Sequence, residues 1–193
     1  MIIKGSDLGK KYGRTWIFRN LDILIPSGGT VAITGSNGSG KSTLLKILSG
    51  FLTPSEGFIT HNEEKPDFDN FHPLCFSAPY IEVPEEMTFG EFLKFHARFR
   101  KQQFSNEEVG KRAILPLDKR ISEFSTGMKQ RVQLSTAFYF KNEAIFMDEP
   151  TSNLDEQGFE WWKSELKSLR NTTFLIASNQ KNEINECNEV FTL

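Results

Sequence analysis

Two rhythms of apolar residues run through this chain. Short unbroken runs occur at Val31-Ala32-Ile33, Ala144-Ile145-Phe146-Met147 and Phe174-Leu175-Ile176-Ala177. Such runs, bounded by turn residues, predict strands buried on both faces of a parallel sheet. With their neighbours they predict an α/β core whose strands run from Val31 to Thr34, Leu74 to Ala78, Ala144 to Met147, Thr172 to Ala177 and Glu189 to Leu193. An antiparallel portion is predicted from Ile2 through about Ile25, returning near Phe58-Ile59-Thr60.

Elsewhere apolar residues return every three or four positions. This spacing predicts helices after Lys41 (Leu44-Leu45-Lys46-Ile47-Leu48), after Asp155, and through a helical arm from about Thr88 to Phe140. Within the arm, Phe89, Phe92, Leu93, His96 and Phe99 share one face, and Val132, Leu134, Ala137 and Phe138 repeat at helical spacing further on. Thr88 with Glu91, and Ser105 with Glu108, fit the capping-box pattern. We read the first stripe as arm core rather than docking surface, with His96 packed or at its edge. Adjacent Trp161 and Trp162 project about 100° apart on a helix, so one is expected buried and the other partly exposed. Asp67-Phe68-Asp69-Asn70-Phe71 reads as a loop or turn with aromatic anchors.

Chemistry enters between the first core strand and its helix. Gly35-Ser36-Asn37-Gly38-Ser39-Gly40-Lys41-Ser42-Thr43 has the spacing G-x-x-x-x-G-K-[ST]. Glycines let backbone N–H groups turn inward as an anion nest, Lys41 sets a cation beside the β and γ phosphates of a nucleotide, and the Ser42 hydroxyl can ligate Mg²⁺. That ion needs a further oxygen, and an attacking water needs orientation. Both are available where Ala144 to Met147 runs into Asp148-Glu149-Pro150, at the carboxyl end of a strand. Asp148 is assigned to the metal shell, directly or through water, and Glu149 to the water. Upstream, Phe124-Ser125-Thr126-Gly127-Met128 precedes a helix with Ser125 as N-cap, leaving an N-terminus open to anions.

Composition narrows the class. With 193 residues and 38% hydrophobic content the chain can bury a core as one unit, and it carries no internal repeat. No apolar stretch reaches the ~18 residues of a membrane span, and Met1-Ile2-Ile3-Lys4-Gly5 lacks the form of a secretory signal, so a soluble protein is expected. Cys75 and Cys187 lack metal-ligand spacing and read as free thiols in a reducing compartment, a disulfide being the minor reading. A formal charge of −2 offers no reason to expect nucleic acid as a partner.

These motifs, in this order, resemble the nucleotide-binding subunit of ATP-binding-cassette (ABC) transporters over nearly the whole chain. The resemblance implies a P-loop NTPase fold of ABC type: a mainly parallel core sheet, an antiparallel β subdomain and an inserted α-helical subdomain. It divides a single 1–193 domain into a nucleotide-binding core with its β subdomain (1–87 and 141–193) and a helical subdomain (about 88–140). Tyr12 matches the aromatic that stacks on adenine, on a loop between strands. Gly35 to Thr43 match Walker A, with Ser36, Asn37, Gly38, Ser39, Gly40, Lys41, Ser42 and Thr43 around ATP, and Ile145 to Glu149 match Walker B. Ser125 and Gly127 match the signature residues that reach ATP held by the opposite subunit, and Asp155 closes a D-loop reading Ser152-Asn153-Leu154-Asp155.

Two positions depart from the family pattern. Asn179 stands where the switch histidine belongs, and His61, His72 and His96 all lie upstream of the signature. Tyr80 stands at the Q-loop glutamine, with Glu82 a weak candidate for a replacement acid. A carboxamide can donate to a γ-phosphate oxygen but cannot shuttle a proton, so slow hydrolysis is expected. The resemblance implies an ATPase using ATP and Mg²⁺, with Lys41, Glu149 and Asn179 catalytic. It would dimerise with itself or another ABC subunit and drive separate membrane-spanning subunits from the cytoplasmic face of the cell membrane. A hydrolysis-impaired ATP-binding partner subunit and a soluble ABC ATPase without a transport role stay open as alternatives.

Overall fold

Unbroken apolar runs become the middle of a parallel sheet. The computed structural model describes residues 1–66, 74–169 and 171–193; the expected turn over Asp67 to Phe71, and His72, lie outside the described residues. The chain divides into two compact units, Met1–Phe76 with Glu143–Glu149 and Asn171–Leu193, and Ser77–Asn142 with Pro150–Arg170. The second unit begins at Ser77 and takes in the helix after Asp155.

Elements β1 (Ile3–Tyr12), β2 (Thr15–Ile25), β3 (Thr30–Thr34), α1 (Lys41–Leu48), β4 (Glu56–His61) and β5 (Leu74–Ser77) come first in the chain. Strand β6 (Ala144–Asp148), β7 (Thr173–Ala177) and β8 (Glu189–Thr192) complete the sheets. An antiparallel sheet has the order β2-β1-β4, and a second sheet the order β5-β6-β7-β3-β8. Every residue of β6 and β7 is buried, as two-sided burial requires. Leu44, Leu45, Ile47 and Leu48 of α1 pack in one cluster with Ile3, Leu8 and Ile25 of the antiparallel sheet and with Val31, Ile33, Phe146 and Leu175. Tyr12 departs from expectation: it ends β1, opposite Thr15, rather than lying on a loop between strands. The hairpin needs only Gly13, at φ 59°, and Arg14 to turn, so the strand extends through the tyrosine.

The second unit contains α2 (Phe89–His96), α3 (Asn106–Ala113), α4 (Thr126–Phe138) and α5 (Glu156–Ser168). Thr88 and Glu91 form the expected reciprocal capping box on α2. Ser105 caps α3 through the Glu108 N–H, but the Glu108 carboxylate turns instead to Arg112 at 3.2 Å. Phe89, Phe92 and Leu93 are buried, and the His96 ring lies against Phe92 with centroids 4.4 Å apart. Phe99 leaves that stripe, 73% exposed, because α2 ends at His96 and helical spacing ends with it. Both tryptophans are buried, against the expectation of one exposed ring: Trp161 packs edge-on to Phe138 and donates to the Tyr139 hydroxyl at 3.2 Å, and Trp162 lies by Phe159. Burial pushes the Tyr139 hydroxyl and the neighbouring Glu165 carboxyl up. Among the described residues no helix is long and apolar enough to cross a membrane. Cys75 and Cys187 form no disulfide with each other, and burial pushes the Cys187 thiol up to about 12.

Candidate functional site

Parallel pairing sets the expected phosphate residues at one end of the first unit. Register matches Asp148 with Ala177 and Ala177 with Ile33, so the chain leaves β3 into the glycine loop, β6 into Glu149 and β7 into Ser178-Asn179 at the same edge. This is the carboxyl end of the strands, where sheets of this kind bind ligands.

The loop's path depends on residues without a side chain. Gly38 and Gly40 adopt φ 84° and 103°, a region that side-chain-bearing residues avoid. At Gly40, the N-cap of α1, a Cβ would also strike Ile17 and Phe18 of β2. Among the described residues no side-chain hydrogen bond caps α1, which leaves its leading N–H groups open to an anion. Lys41 is buried, and its ammonium donates to the Gly35 carbonyl at 2.9 Å and the Ser36 carbonyl at 3.2 Å. The buried Ser39 hydroxyl has no hydrogen-bond partner among the described residues and lies where a Cβ on Gly35 would fall.

Asp148 is 5% exposed and Glu149, which follows it, is exposed at φ 45°. Its N–H donates to the Ala177 carbonyl at 2.9 Å, which holds this uncommon backbone in place. Ser42 and Asp148 supply a hydroxyl and a carboxylate, hard oxygen donors that fit Mg²⁺ when phosphate and water oxygens complete its shell. Among the described residues no group of three His, Cys, Asp or Glu could hold a metal by itself. Asn179 lies on the loop: its Oδ1 accepts from the Gly35 N–H at 3.3 Å and its Nδ2 donates to Asn37 Oδ1 at 3.2 Å. Tyr12 is 54% exposed, with the Lys10 ammonium 5.4 Å from its ring centre.

Ser125, Gly127, Asp155 and Tyr80 belong to the second unit. The Ser125 hydroxyl accepts from the Met128 N–H at 3.3 Å and so caps α4 as expected. A Cβ on Gly127 would stand 3.0 Å from the Asn153 carbonyl. Asp155 caps α5 through the Gly158 N–H at 2.7 Å and faces the Arg131 guanidinium at 3.5 Å. Ser125, Gly127, Arg131, Asn153 and Asp155 thus line one cavity of about 440 Å³.

Sequence reasoning missed what holds this half together. Gln130, Arg131 and Gln133 of α4 are buried. Gln130 donates to the Pro150 carbonyl at 3.0 Å, and Gln133 to the carbonyls of Ala78 and Ile81 at 2.7 and 3.2 Å. Gln133 therefore clamps the turn that carries the half-exposed Tyr80, while Gln130 and Arg131 hold the segment from Pro150 to Asp155. The available signal was weak: three long polar residues within four positions, ahead of the apolar Leu134, Ala137 and Phe138 of the same helix. Glu82 and Glu86 lie by Tyr80's turn and line a separate 700 Å³ groove of this unit.

The sequence profile described as ABC transporter matches residues 18–152. An uncharacterized ABC transporter ATP-binding protein, YybJ of Bacillus subtilis (strain 168), is 31% identical over 193 residues, covering 95% of this chain and 88% of its own. The ribose import ATP-binding protein RbsA of Lactococcus lactis subsp. lactis (strain IL1403) is 29% identical, over all of this chain but 43% of its own length. Among solved structures, a putative ABC transporter ATP-binding protein from Pyrococcus furiosus superposes with TM-score 0.87 at 27% identity, covering 100% of this chain and 98% of its own. The dimeric ABC transporter cassette MJ0796 gives 0.86 at 25% identity, covering 99% and 94%.

Proposed function

Since the chain belongs to the ABC transporter family as an ATP-binding subunit and ATPase, we propose that two cassettes close head to tail over two ATP molecules, and that hydrolysis reopens them to drive separate membrane-spanning subunits. Each composite site would join the glycine loop, Asp148 and Glu149 of one chain to Ser125 and Gly127 of another. The observation that carries this reading is that the two sets of groups occur in different compact units. The phosphate-binding set lies at the carboxyl edge of the parallel sheet, and the signature set lines its own cavity with Asp155. A helix N-terminus with that glycine is an anion-binding surface by itself, and the dimeric relative MJ0796 shows that a cassette of this fold pairs.

In the site, Tyr12 offers adenine an aromatic face, and the backbone from Ser36 to Thr43 surrounds the phosphates. Lys41 exchanges its two carbonyl contacts for phosphate oxygens. Ser42 and Asp148 hold Mg²⁺, which when bound neutralises charge on the β and γ phosphates. Glu149 accepts a hydrogen bond from the attacking water and orients it toward the γ-phosphorus. Turnover is slow, because a carboxamide at Asn179 neither carries charge nor relays a proton. The surface around Tyr80, clamped to the signature helix by Gln133, transmits closure to membrane subunits on the cytoplasmic face. Size-exclusion chromatography in saturating ATP and Mg²⁺ tests the sandwich. Glu149→Gln should run as a dimer and Lys41→Ala as a monomer; a Glu149→Gln protein that stays monomeric would count against it.

A further inference from the structure

We infer that Asn179 is a positioning residue of the glycine loop, holding its first turn in shape for any nucleotide, rather than a contact that senses the γ-phosphate. The inference rests on the reading that this loop binds nucleotide. Asn179 follows β7 directly after Ser178, which is fully buried and whose N–H donates to the Ile33 carbonyl at 3.1 Å. On the other side, the Gln180 N–H donates to the Ser178 hydroxyl at 2.9 Å. The stem of Asn179 is therefore tied to the strand that feeds the loop.

From that stem the carboxamide spans two points of the loop. An N–H can only donate, so the contact with Gly35 fixes the Asn179 oxygen there and turns its NH₂ toward Asn37. Gly35, at φ 148°, is one of the loop's permissive positions. Its N–H is held by Asn179 and its carbonyl by the Lys41 ammonium, so both polar groups of this residue are engaged. When Lys41 turns to phosphate, the Asn179 contact is the one that stays, since the Gly35 N–H belongs to the loop's entry rather than to its phosphate-facing turn. Ordering the entry in advance lowers the entropic cost of binding, and it does so equally for nucleotides with two phosphates or three. A carboxamide does not titrate, so the contribution is flat across the pH range in which an imidazole would change charge.

The second Nδ2 proton remains available to a γ-phosphate, so the deciding experiment compares ADP with a non-hydrolysable ATP analogue. Calorimetric affinities are measured for the parent, Asn179→Ala, Asn37→Ala and the double variant, with thermal melts confirming that these exposed substitutions leave the fold intact. Positioning predicts that Asn179→Ala weakens ADP and the analogue by the same factor, about three- to tenfold, as for one ordinary hydrogen bond. It also predicts that the double variant binds little worse than the weaker single one, because the two residues share a bond. Loss confined to the analogue would make Asn179 a γ-phosphate contact and overturn the inference. Additive effects would remove the shared bond, and unchanged affinities would make the residue a bystander; either overturns it. Lys41→Ala separates the premise from the inference: if it binds both nucleotides like the parent, the loop is not the nucleotide site at all.

Discussion

The glycine loop leads into α1 and the signature motif into α4, yet the two helix starts are built from different materials. The loop is shaped by what is missing: Gly38 and Gly40 adopt backbone angles closed to other residues, and Gly40 lies against Ile17 and Phe18. The start of α4 is shaped by what is buried: Gln130, Arg131 and Gln133 spend their polar groups on neighbouring carbonyls and on Asp155. A surface made from absent side chains tolerates no additions, whereas one made from buried polar side chains tolerates no deletions, because each loss takes a donor from an acceptor it serves.

The largest effect that should break this symmetry is chemical. Glu149→Gln keeps the loop and removes the carboxylate proposed to orient the water, so turnover should fall by about 10²- to 10⁴-fold while nucleotide affinity holds. Phosphate release at saturating ATP, with calorimetry alongside, measures both. Next is an addition to the second surface. Gly127→Val pushes a branched side chain toward the Asn153 carbonyl, 3.0 Å from where its Cβ must sit. Overpacking of this kind costs about 1–3 kcal/mol, so ATP-dependent dimerisation should weaken roughly five- to a hundredfold with binding to the monomer unchanged. Equal losses in both would mean that the two halves do not act separately.

A deletion should show in stability. Gln133→Leu removes two hydrogen bonds, leaving the Ala78 carbonyl only its bond from the Ile81 N–H, and urea unfolding should report a loss of about 1–3 kcal/mol. A smaller effect belongs to Tyr12→Ala, which removes a stacking platform worth about 0.5–1.5 kcal/mol beyond its area. ATP and GTP should weaken alike in fluorescent-nucleotide competition, and unchanged affinity would move the platform to Trp16 or Phe18. The smallest concerns pH. Burial, with Arg100 nearby, holds the His96 imidazole below its ordinary value. The unfolded chain then takes up the proton first, so this group's contribution to stability is present above about pH 6.5 and fades as pH falls through that value. His96→Phe should flatten the fall of melting temperature on acidification from neutral pH.

How much of this was legible follows the same division. Glycine spacing, Lys41 and the apolar run into Asp148 announce the first unit, because a phosphate nest needs those residues in that order and a doubly buried strand needs unbroken apolar residues. The second unit could not be read as well. Gln133 means nothing until Ala78 and Ile81 lie beside it, and the burial of both tryptophans depends on the faces that α5 meets, which a 100° offset along one helix cannot reveal. Tyr12 was misplaced because a two-residue turn leaves almost no sequence outside the strands it joins.

Glu149 also ends a segment of the first unit, and Pro150 begins one of the second. The backbone crosses between the units at Phe76–Ser77, Asn142–Glu143, Glu149–Pro150 and just before Asn171. One of these four covalent joints is therefore the peptide bond that follows Glu149. That joint combines a left-handed residue with a proline, two of the least adjustable backbone conformations. The carboxylate proposed to orient the attacking water thus hangs from a backbone position with little room to turn.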